Sequence, residues 1–384
     1  MNKFIILFST LVLFSCSKKT SLPFSYNENE RQILFNVKIN NSIDAVFSYD
    51  TGADGNIVDS LFFVSNNIHS NKIAEQKITG VGEGISSVKS IHDTLTYRFG
   101  NIEIKSTKNI IYDLKSISGK SDDGILGIES FRALLHKIDY QKRKITINPS
   151  LNGFKSLSIK YKNKKIYIPS YVELSNGNSV QGEFLVDTGA ANSSLNSWIY
   201  NEEQFKDVKK TKFFSYRGIG NKKTGYVLKV SKLAISKDTI SNHLMAISLN
   251  QSGFLAKTDV CGILGNDVLS KFSIIYDIPN LKIWYKPVKY KDKNTSLFIG
   301  FRAVDRTDIN QGWIVKSLQE ESDAVLKGLE INDQIISIND IKVDEIDFNT
   351  YFENVNPNET HIYEILKPSQ KITKLEINFK VFFD

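Results

Sequence analysis

Two aspartates stand in the same short motif, one early in the chain and one near its middle. Asp50 lies in YDTGAD (49–54) and Asp187 in VDTGAA (186–191), each after an apolar run. Asp and Gly are common turn residues, so one copy alone would indicate little. Two carboxylates brought face to face cannot both ionise, and they share one proton. The ionised one can deprotonate a water while the protonated one polarises a carbonyl, which is acid–base hydrolysis without a metal or a covalent intermediate.

The residues that follow each Asp suit such a pair. Thr51 and Thr188 carry hydroxyls that can hydrogen-bond across an interface and hold two loops rigid. Gly52 and Gly189 would let the backbone approach the carboxylates closely. Neither half of the chain could perform this chemistry alone, which would explain why the motif occurs twice.

The surrounding sequence is duplicated as well. Asp50 and Asp187 are 137 residues apart, and one inserted residue brings the later landmarks to an offset of 138. The landmarks at that offset are Gly80 in TGVGEG with Gly218 in RGIGNKKTG, Gly127 in DGILG with Gly265 in CGILG, Asp139 with Asp277, and Pro149 with Pro287. Landmarks in register predict two homologous lobes, over 17–150 and 151–290.

Each lobe is predicted to be mainly β. Alternation of polar and apolar residues over 33–39 and 43–49, around the turn NNS, predicts a hairpin that delivers Asp50 at its end. Residues 167–174 and 182–186 repeat this layout before Asp187. One helix is expected in each lobe, over IESFRALLHKI (128–138) and NDVLSKF (266–272).

The double motif, the Gly-rich hairpins and the two Ile-Leu-Gly triplets resemble the aspartic protease family. Within that family DTGAD is more similar to retropepsins, which are homodimers with one Asp per subunit, than to pepsins. The chain looks like two retropepsin-like lobes fused in tandem over 26–290. The resemblance implies a bilobal pair of β-barrels, with Asp50 and Asp187 as the catalytic pair. It also implies roles for further residues: Thr51, Gly52, Thr188 and Gly189 as supports; Ala53, Asp54 and Ala190 as substrate contacts; and flaps at Gly80, Val81, Gly82, Gly218, Ile219 and Gly220.

One departure from the family pattern concerns the cleft. Asp54 matches a family position that binds substrate backbone, but its counterpart is Ala191, so the cleft is expected to be asymmetric. Two alternatives remain open: a degenerate pseudo-protease, and the same chemistry assembled from two chains. The two intact Asp-Thr-Gly triplets argue against the first, and the duplication argues against the second.

The C-terminal part, 296–384, follows the Lys-rich stretch KPVKYKDKNTS and has a different composition. SLFIGFRAV and GWIVKSL are predicted strands, and a short helix is expected to end at Gly328. LKGLEINDQIISIND (326–340) resembles the PDZ domains of bacterial proteases, although Asn332 replaces the usual Gly. The carboxylate-binding loop that this implies is Phe298, Ile299, Gly300 and Phe301, beside which a peptide would add a strand. A packing module without a ligand is the alternative.

The N-terminus has the pattern of a signal peptide. Lys3 precedes an apolar run over 4–14 that ends in LFSC. This resembles a bacterial lipobox and implies a signal peptide over 1–16 and a lipidated Cys16. The implied location is the cell envelope, in the outer membrane facing the periplasm. An ordinary secretory signal is the alternative. If Cys16 is lipidated, Cys261 has no disulfide partner, and it is expected to be a buried thiol.

Other functional classes find no support. The net charge of +7 over 384 residues is spread as single lysines, so no nucleic-acid partner is expected. No Gly-x-Ser-x-Gly, His-Glu-x-x-His or Cys-x-x-Cys occurs and the five His are scattered, so no metal or cofactor is expected. The sequence favours a monomeric, lipid-anchored aspartic endopeptidase of peptides or proteins, with a PDZ domain that binds a peptide ligand. A non-catalytic peptide-binding scaffold is the rival.

Overall fold

The computed structural model describes residues 20–28, 30–216, 218–219, 222–289 and 299–383. Cys16, Gly220 and Phe298, which the sequence singles out, lie outside the described residues. We refer to residues 20–150 as the first repeat, 151–289 as the second repeat and 299–383 as the C-terminal segment. In these ranges, none of the helices has the length and apolar character needed to cross a bilayer.

The first repeat contains the strands β1 (Thr20–Pro23), β2 (Ser25–Asn27), β3 (Gln32–Ile39), β4 (Ile43–Asp50), β5 (Asn56–Asp59), β6 (Ile73–Ile78), β7 (Ser86–Ile91), β8 (Leu95–Phe99), β9 (Ile102–Ser106), β10 (Asn109–Tyr112), β11 (Gly124–Gly127), β12 (His136–Asp139) and β13 (Lys144–Ile147).

The second repeat contains the strands β14 (Lys155–Ser158), β15 (Lys160–Lys162), β16 (Lys165–Leu174), β17 (Ser179–Val186), β18 (Ser194–Leu195), β19 (Lys210–Ser215), β20 (Lys223–Ile235), β21 (Asp238–Ser248), β22 (Gly262–Leu264), β23 (Phe272–Asp277) and β24 (Lys282–Pro287).

The C-terminal segment contains the strands β25 (Phe301–Asp305), β26 (Trp313–Gln319), β27 (Gln334–Ile338), β28 (Ile341–Lys342), β29 (Thr360–Leu366) and β30 (Ile372–Asn378). The helices are short: α1 (Ser60–Ser65), α2 (Lys115–Ser118), α3 (Asn266–Leu269), α4 (Asp323–Leu326) and α5 (Phe348–Asn354). The chain is therefore mainly β, which confirms the predicted class.

The two repeats have the same strand order. In the sheet of the first repeat, neighbouring strands follow the order β3-β4-β11-β5-β10-β7-β6. The equivalent order in the sheet of the second repeat is β16-β17-β22-β18-β21-β20-β19. The orientations match too, because β11 runs parallel to β4 and β22 runs parallel to β17. In each repeat, a hairpin therefore delivers the Asp-bearing loop next to a parallel strand from much later in the chain.

Local sequence explains the first of these hairpins. Asn40 and Asn41 form the turn between β3 and β4, and both have positive φ angles, of 48° and 66°. Asn tolerates this left-handed region better than most residues. On both sides of the turn, alternate apolar residues of the strands are buried in the core of the repeats.

A third sheet joins the repeats. Its six strands run in the order β1-β13-β12-β23-β24-β14, three from each repeat. The junction is the antiparallel pair β12 and β23, in which His136 pairs with Tyr276. Both side chains are fully buried and stack with ring centroids 5.1 Å apart. The repeats are thus continuous through a sheet as well as through a shared core.

The prediction of a helix over 128–138 is wrong. Only Ile128–Ser130 forms a single 3₁₀ turn, and His136 already begins β12. The apolar residues Phe131 and Ile138 are buried as the pattern requires, but Ile138 is buried by the inter-repeat sheet. The helix expected over 266–272 is real but shorter, because it ends at Leu269 and β23 begins at Phe272.

The C-terminal segment has its own core and is not separate from the second repeat. Its buried residues, among them Phe301, Trp313 and Tyr363, form a distinct cluster. Its strand β26 nevertheless pairs antiparallel with β19, so the sheet of the second repeat continues through β26, β27, β29 and β30.

Candidate active site

The two repeated aspartates meet where the repeats face each other. Asp50 is the last residue of β4, and Asp187 follows directly after β17. In the parallel pairing, Gly127 at the end of β11 lies beside Asp50. In the second repeat, the N–H of Asp187 donates to the carbonyl of Leu264 at 3.1 Å. The two carboxyl groups lie close enough for the charge of Asp50 to raise the pKa of Asp187.

The threonines bind across the interface in a reciprocal arrangement. The N–H of Thr51 donates to the hydroxyl of Thr188, and the N–H of Thr188 donates to the hydroxyl of Thr51, both at 3.0 Å. The Thr51 hydroxyl donates to the carbonyl of Val186 at 2.7 Å, and that of Thr188 to the carbonyl of Tyr49 at 2.8 Å. Both threonines are buried. The four bonds fix the two Asp-bearing loops relative to each other.

The glycines make room for the opposite carboxylate. A Cβ on Gly52 would stand 2.6 Å from the carboxyl carbon of Asp187, and a Cβ on Gly189 would overlap the carboxyl of Asp50. Each glycine also donates its N–H to the Asp two residues earlier, at 2.7 Å in the first repeat and 2.9 Å in the second. Any larger residue at these positions would push the two carboxylates apart.

The carboxylates are not equivalent. Asp50 accepts a second N–H, from Ala53 at 3.0 Å, on the oxygen that already accepts from Gly52. Burial raises the pKa of both groups, and the nearby Asp50 charge raises the pKa of Asp187 further, well above its usual range. Hydrogen bonds to the charged form favour that form. The additional hydrogen bond therefore favours the ionised form at Asp50 and the protonated form at Asp187.

One cation from each repeat braces the loop of the other repeat. Lys165, at the start of β16, donates to the carbonyl of Gly52 and binds Asp54 at 2.9 Å. Arg31, just before β3, donates to the carbonyl of Ala191 and to Asn192 Oδ1. The Lys165 charge lowers the pKa of Asp50 and of Asp187, opposing their burial.

The Ile-Leu-Gly triplets lie against the same loops. A Cβ on Gly127 would stand 2.8 Å from the carbonyl oxygen of Ala53, and one on Gly265 would stand 2.7 Å from that of Ala190. The N–H of Gly127 donates to Asn56 Oδ1 at 3.0 Å, and that of Gly265 donates to the Ser193 hydroxyl at 2.9 Å. Side chains of different type thus perform the same task in the two repeats.

Two hairpin tips cover the aspartates. The first tip (79–85) joins β6 and β7, and the second joins β19 and β20, with 216, 218–219 and 222 as its described residues. Gly82 donates its N–H to the carbonyl of Ile219 at 3.3 Å, and Glu83 donates to that of Lys222 at 3.0 Å. Gly80 is required at the contact, since a Cβ there would overlap the carbonyl of Ile219. The tips therefore meet over the Asp pair.

A cavity of about 1350 Å³ lies between the tips and the aspartates. Both aspartates line it, together with Lys165 and residues of both tips. The cavity extends to the C-terminal segment, where Gly300, Phe301 and Phe383 contribute to its wall. A volume of this size suits an extended chain of several residues.

Most residues singled out in the sequence gather at this cavity. Those that line it are Asp50, Gly52, Ala53, Asp54, Gly80, Val81, Asp187, Gly189, Ala190, Gly218, Ile219, Gly300 and Phe301. Thr51 and Thr188 are buried beneath it, and Gly82 holds the second tip. Ile299 is buried in the C-terminal core and does not line the cavity. Cys261 is buried as expected, and burial raises the pKa of its thiol.

Several residues of the site were missed in the sequence. Lys165 and Arg31 lie outside the repeated motif, so only the folded hairpins bring them to the loops. Asp122 lines the cavity and lies five residues before Gly127. The 138-residue offset pairs it with Val260, a difference between the repeats that the sequence does contain.

No protein-family model matches the chain, and no curated protein matches it.

Proposed function

We propose that the chain is an aspartic endopeptidase that hydrolyses peptide bonds with a water held between Asp50 and Asp187. The observation that carries the proposal is the close approach of the Asp50 and Asp187 carboxyl groups at the interface of two repeats, where each carboxyl packs against the Asp-Thr-Gly glycine of the other repeat. The reciprocal threonine bonds support it, because they hold both loops rigid from opposite sides. A buried like-charge pair is costly, so its presence at the floor of a cavity favours a catalytic role.

The reaction follows from the unequal carboxylates. Asp50 takes a proton from the water, whose oxygen attacks the carbonyl carbon, while Asp187 donates its proton to the carbonyl oxygen. The tetrahedral intermediate then collapses. The Asp50 proton passes to the departing nitrogen, the C–N bond breaks, and the hydroxyl of the intermediate returns its proton to Asp187. Both carboxyls end in their starting states, so no covalent intermediate is needed.

The backbone around the cavity suits an extended peptide. Residues of the two tips and of the loops after Asp50 and Asp187 line the cavity, and main-chain groups there could pair with the main chain of a peptide of any sequence. The C-terminal segment resembles a PDZ domain, and we propose that it contributes a peptide-binding loop at Gly300 and Phe301. We also propose that Cys16 is lipidated and anchors the chain in a bacterial envelope.

The test is cleavage of a peptide mixture, with products identified by mass spectrometry. Asp50→Asn and Asp187→Asn should each abolish cleavage, and the double variant should be little worse than either, because the two groups act as one unit. Asp44→Asn is the matched control, since Asp44 is an exposed residue of the same strand β4. A statine-type inhibitor should block the wild type.

Two outcomes would contradict the proposal. Near-normal turnover in Asp187→Asn would mean that the carboxylates do not form one site. Binding of peptides without any cleavage, unchanged in both Asn variants, would favour the non-catalytic peptide-binding scaffold.

A further inference from the structure

The walls on the two sides of the Asp pair differ in chemistry. Ser48 stands two residues before Asp50 on β4, and Leu185 stands two residues before Asp187 on β17. Residues two apart on a strand share a face, so both flank the Asp pair at equivalent places. The parallel strands are in equivalent register, because Phe47 pairs with Gly124 and Phe184 with Gly262.

The wall of the second repeat is apolar. Leu185, Phe254, Leu255, Val260 and Ile263 belong to one buried cluster, against which Val81 of the first tip packs. Leu185, Phe254, Leu255 and Ile263 also line the cavity. These four residues offer hydrocarbon to a substrate side chain.

The wall of the first repeat has a carboxylate at its base. Asp122 occupies the position of Val260, lines the cavity, and is 1% exposed. It accepts hydrogen bonds from the hydroxyls of Ser118 at 2.8 Å, Ser48 at 3.2 Å and Ser121 at 3.3 Å. Ile57, Ile117 and Ile125 of the first repeat also line the cavity.

No cation balances this carboxylate within the part of the chain that the structure describes. The donors to Asp122 are neutral hydroxyls, and no lysine or arginine of that part lies within ion-pair distance. The nearest lysines along the chain bind other carboxylates: Lys120 binds Asp305 at 3.0 Å, and Lys115 binds the adjacent Asp123 at 3.1 Å. Burial raises the pKa of Asp122 to about 6, as expected for a buried carboxyl without a cation.

We propose that Asp122 is a specificity-determining residue that binds the ammonium or guanidinium of a basic substrate side chain next to the scissile bond. The hydrocarbon stem of that side chain would lie on Ile57, Ile117 and Ile125, and the residue across the scissile bond would be large and apolar. This inference rests on the proposed peptidase function. An apolar side chain over Asp122 would leave a buried charge unpaired, so the site discriminates against it.

The experiment compares two series of peptides with the full chain. In one series Lys, Arg, norleucine or Glu precedes Leu at the scissile bond, and in the other the order is reversed. Norleucine has the hydrocarbon stem of Lys without the charge. In one of the two orders, kcat/KM for Lys or Arg should exceed that for norleucine at least tenfold.

Two variants test the assignment. Asp122→Asn should reduce the ratio of kcat/KM for the Lys peptide to that for the norleucine peptide to about one. Asp123→Asn is the matched control, because Asp123 is the neighbouring carboxylate but does not line the cavity, and it should keep the ratio. Equal cleavage of the Lys and norleucine peptides in both orders by the wild type, or a ratio unchanged in Asp122→Asn, would overturn the inference.

Binding of uncleavable peptides separates this inference from the proposed function. The same sequences with a reduced scissile bond are titrated by calorimetry. Tighter binding of Lys than of norleucine, lost in Asp122→Asn, supports the site even if no peptide is cleaved. Cleavage without discrimination overturns the inference and leaves the peptidase function standing. Neither cleavage nor binding of any peptide overturns both.

Discussion

The inequality of the two aspartates comes from their immediate neighbours. Asp50 accepts two main-chain N–H groups on one oxygen, whereas Asp187 accepts one. Alanine follows the Asp-Thr-Gly triplet in both repeats, so no hydroxyl side chain at that position adds a further donor. With few donors and much burial, the shared proton is held tightly, and we expect activity at weakly acidic to neutral pH.

The charge of Lys165 should set where this activity falls on the pH scale. Its ammonium lowers the pKa of Asp50 and Asp187, so Lys165→Met should raise both values. Asp50 must be ionised and Asp187 protonated for turnover, so both limbs of the profile of kcat/KM against pH should move to higher pH.

Lys164→Met serves as the control, since Lys164 is the adjacent lysine and its charge makes no large contribution to either aspartate. A profile that moves equally in both variants, or in neither, would mean that Lys165 does not act on the pair.

Asp122 should make stability depend on pH in a recognisable direction. Burial raises its pKa from 3.8 to about 6, so the folded protein keeps this proton where the unfolded chain has lost it. Stability therefore falls as pH rises from about 4 to about 6 and stays lower above that. At pH 7, Asp122→Asn should have a higher free energy of unfolding, by up to about 3 kcal/mol at about 1.4 kcal/mol for each pH unit between the two values.

The gain should vanish below about pH 4, and urea unfolding at several pH values measures it. Asp123→Asn provides the contrast, because its carboxylate binds Lys115 and the Val46 N–H, and its loss should destabilise at neutral pH. A variant Asp122→Asn that is less stable at pH 7 than the wild type would contradict the argument.

At this scale, the sequence predicts the residues that repeat and misses those that do not. The Asp-Thr-Gly triplets and the glycines of the tips stand in register, so their convergence is readable. Arg31 and Lys165 are single cations at the starts of equivalent strands. Their partners lie in the other repeat, and the sequence around each cation does not identify them. Asp122 stands in SDDG, which reads as an ordinary turn until its position is compared with Val260.

Among the structural elements, the crossed threonine loops are the strongest link between the repeats at the site. Thr51→Val keeps the shape of the side chain but removes a hydroxyl that bonds two main-chain groups, leaving the carbonyl of Val186 and the N–H of Thr188 unpaired in a buried place. We expect a loss of about 2–4 kcal/mol in the free energy of unfolding, together with a large loss of turnover.

Thr51→Ser keeps the hydroxyl and should cost only about 1 kcal/mol for the lost methyl group. Chemical unfolding and peptide cleavage, measured on both variants, give the comparison. If Thr51→Ser were as damaging as Thr51→Val, packing of the methyl group and not the crossed hydrogen bonds would hold the loops.

Strands with local signals are predictable here, and strands with distant partners are not. The hairpins β3–β4 and β16–β17 follow from alternation and turn residues. The stretch 128–138 has apolar residues at helical spacing, but its end is taken into the inter-repeat sheet by pairing with a strand some 138 residues away. Pairing in this sheet buries more apolar surface than a short helix on one repeat would. Because the partner strand is distant in the chain, no local sequence pattern predicts the pairing.

For the whole molecule, the C-terminal segment holds both repeats at the cleft. Its strand β26 pairs with β19, and the second hairpin tip follows β19 directly. On the other side, the N–H of Lys120 in the first repeat donates to the carbonyl of Asp305 at 2.9 Å, and its ammonium binds Asp305 and Thr307. The sequence predicts a separate domain after a linker, because the β19–β26 pairing joins strands about 100 residues apart and leaves no local trace.

This arrangement predicts that removal of 290–384 affects more than substrate selection. Without β26, strand β19 becomes an unpaired edge, and the tip that it carries loses the support of the Tyr216 N–H bond to the carbonyl of Lys316. The tip closes over the Asp pair, so even short peptides that span only the cleft should show a raised KM.

Lys120→Ala is the matched control, because it breaks a half-exposed contact to Asp305 and Thr307 but leaves β19 paired. It should lower the free energy of unfolding by less than about 1 kcal/mol and change activity little. The measurement is kcat and KM on one short and one long peptide for the wild type, the truncated chain and Lys120→Ala. If the truncated chain cleaves the short peptide as the wild type does, β26 does not support the tip, and selection of long substrates by Gly300 and Phe301 becomes the remaining role of the segment.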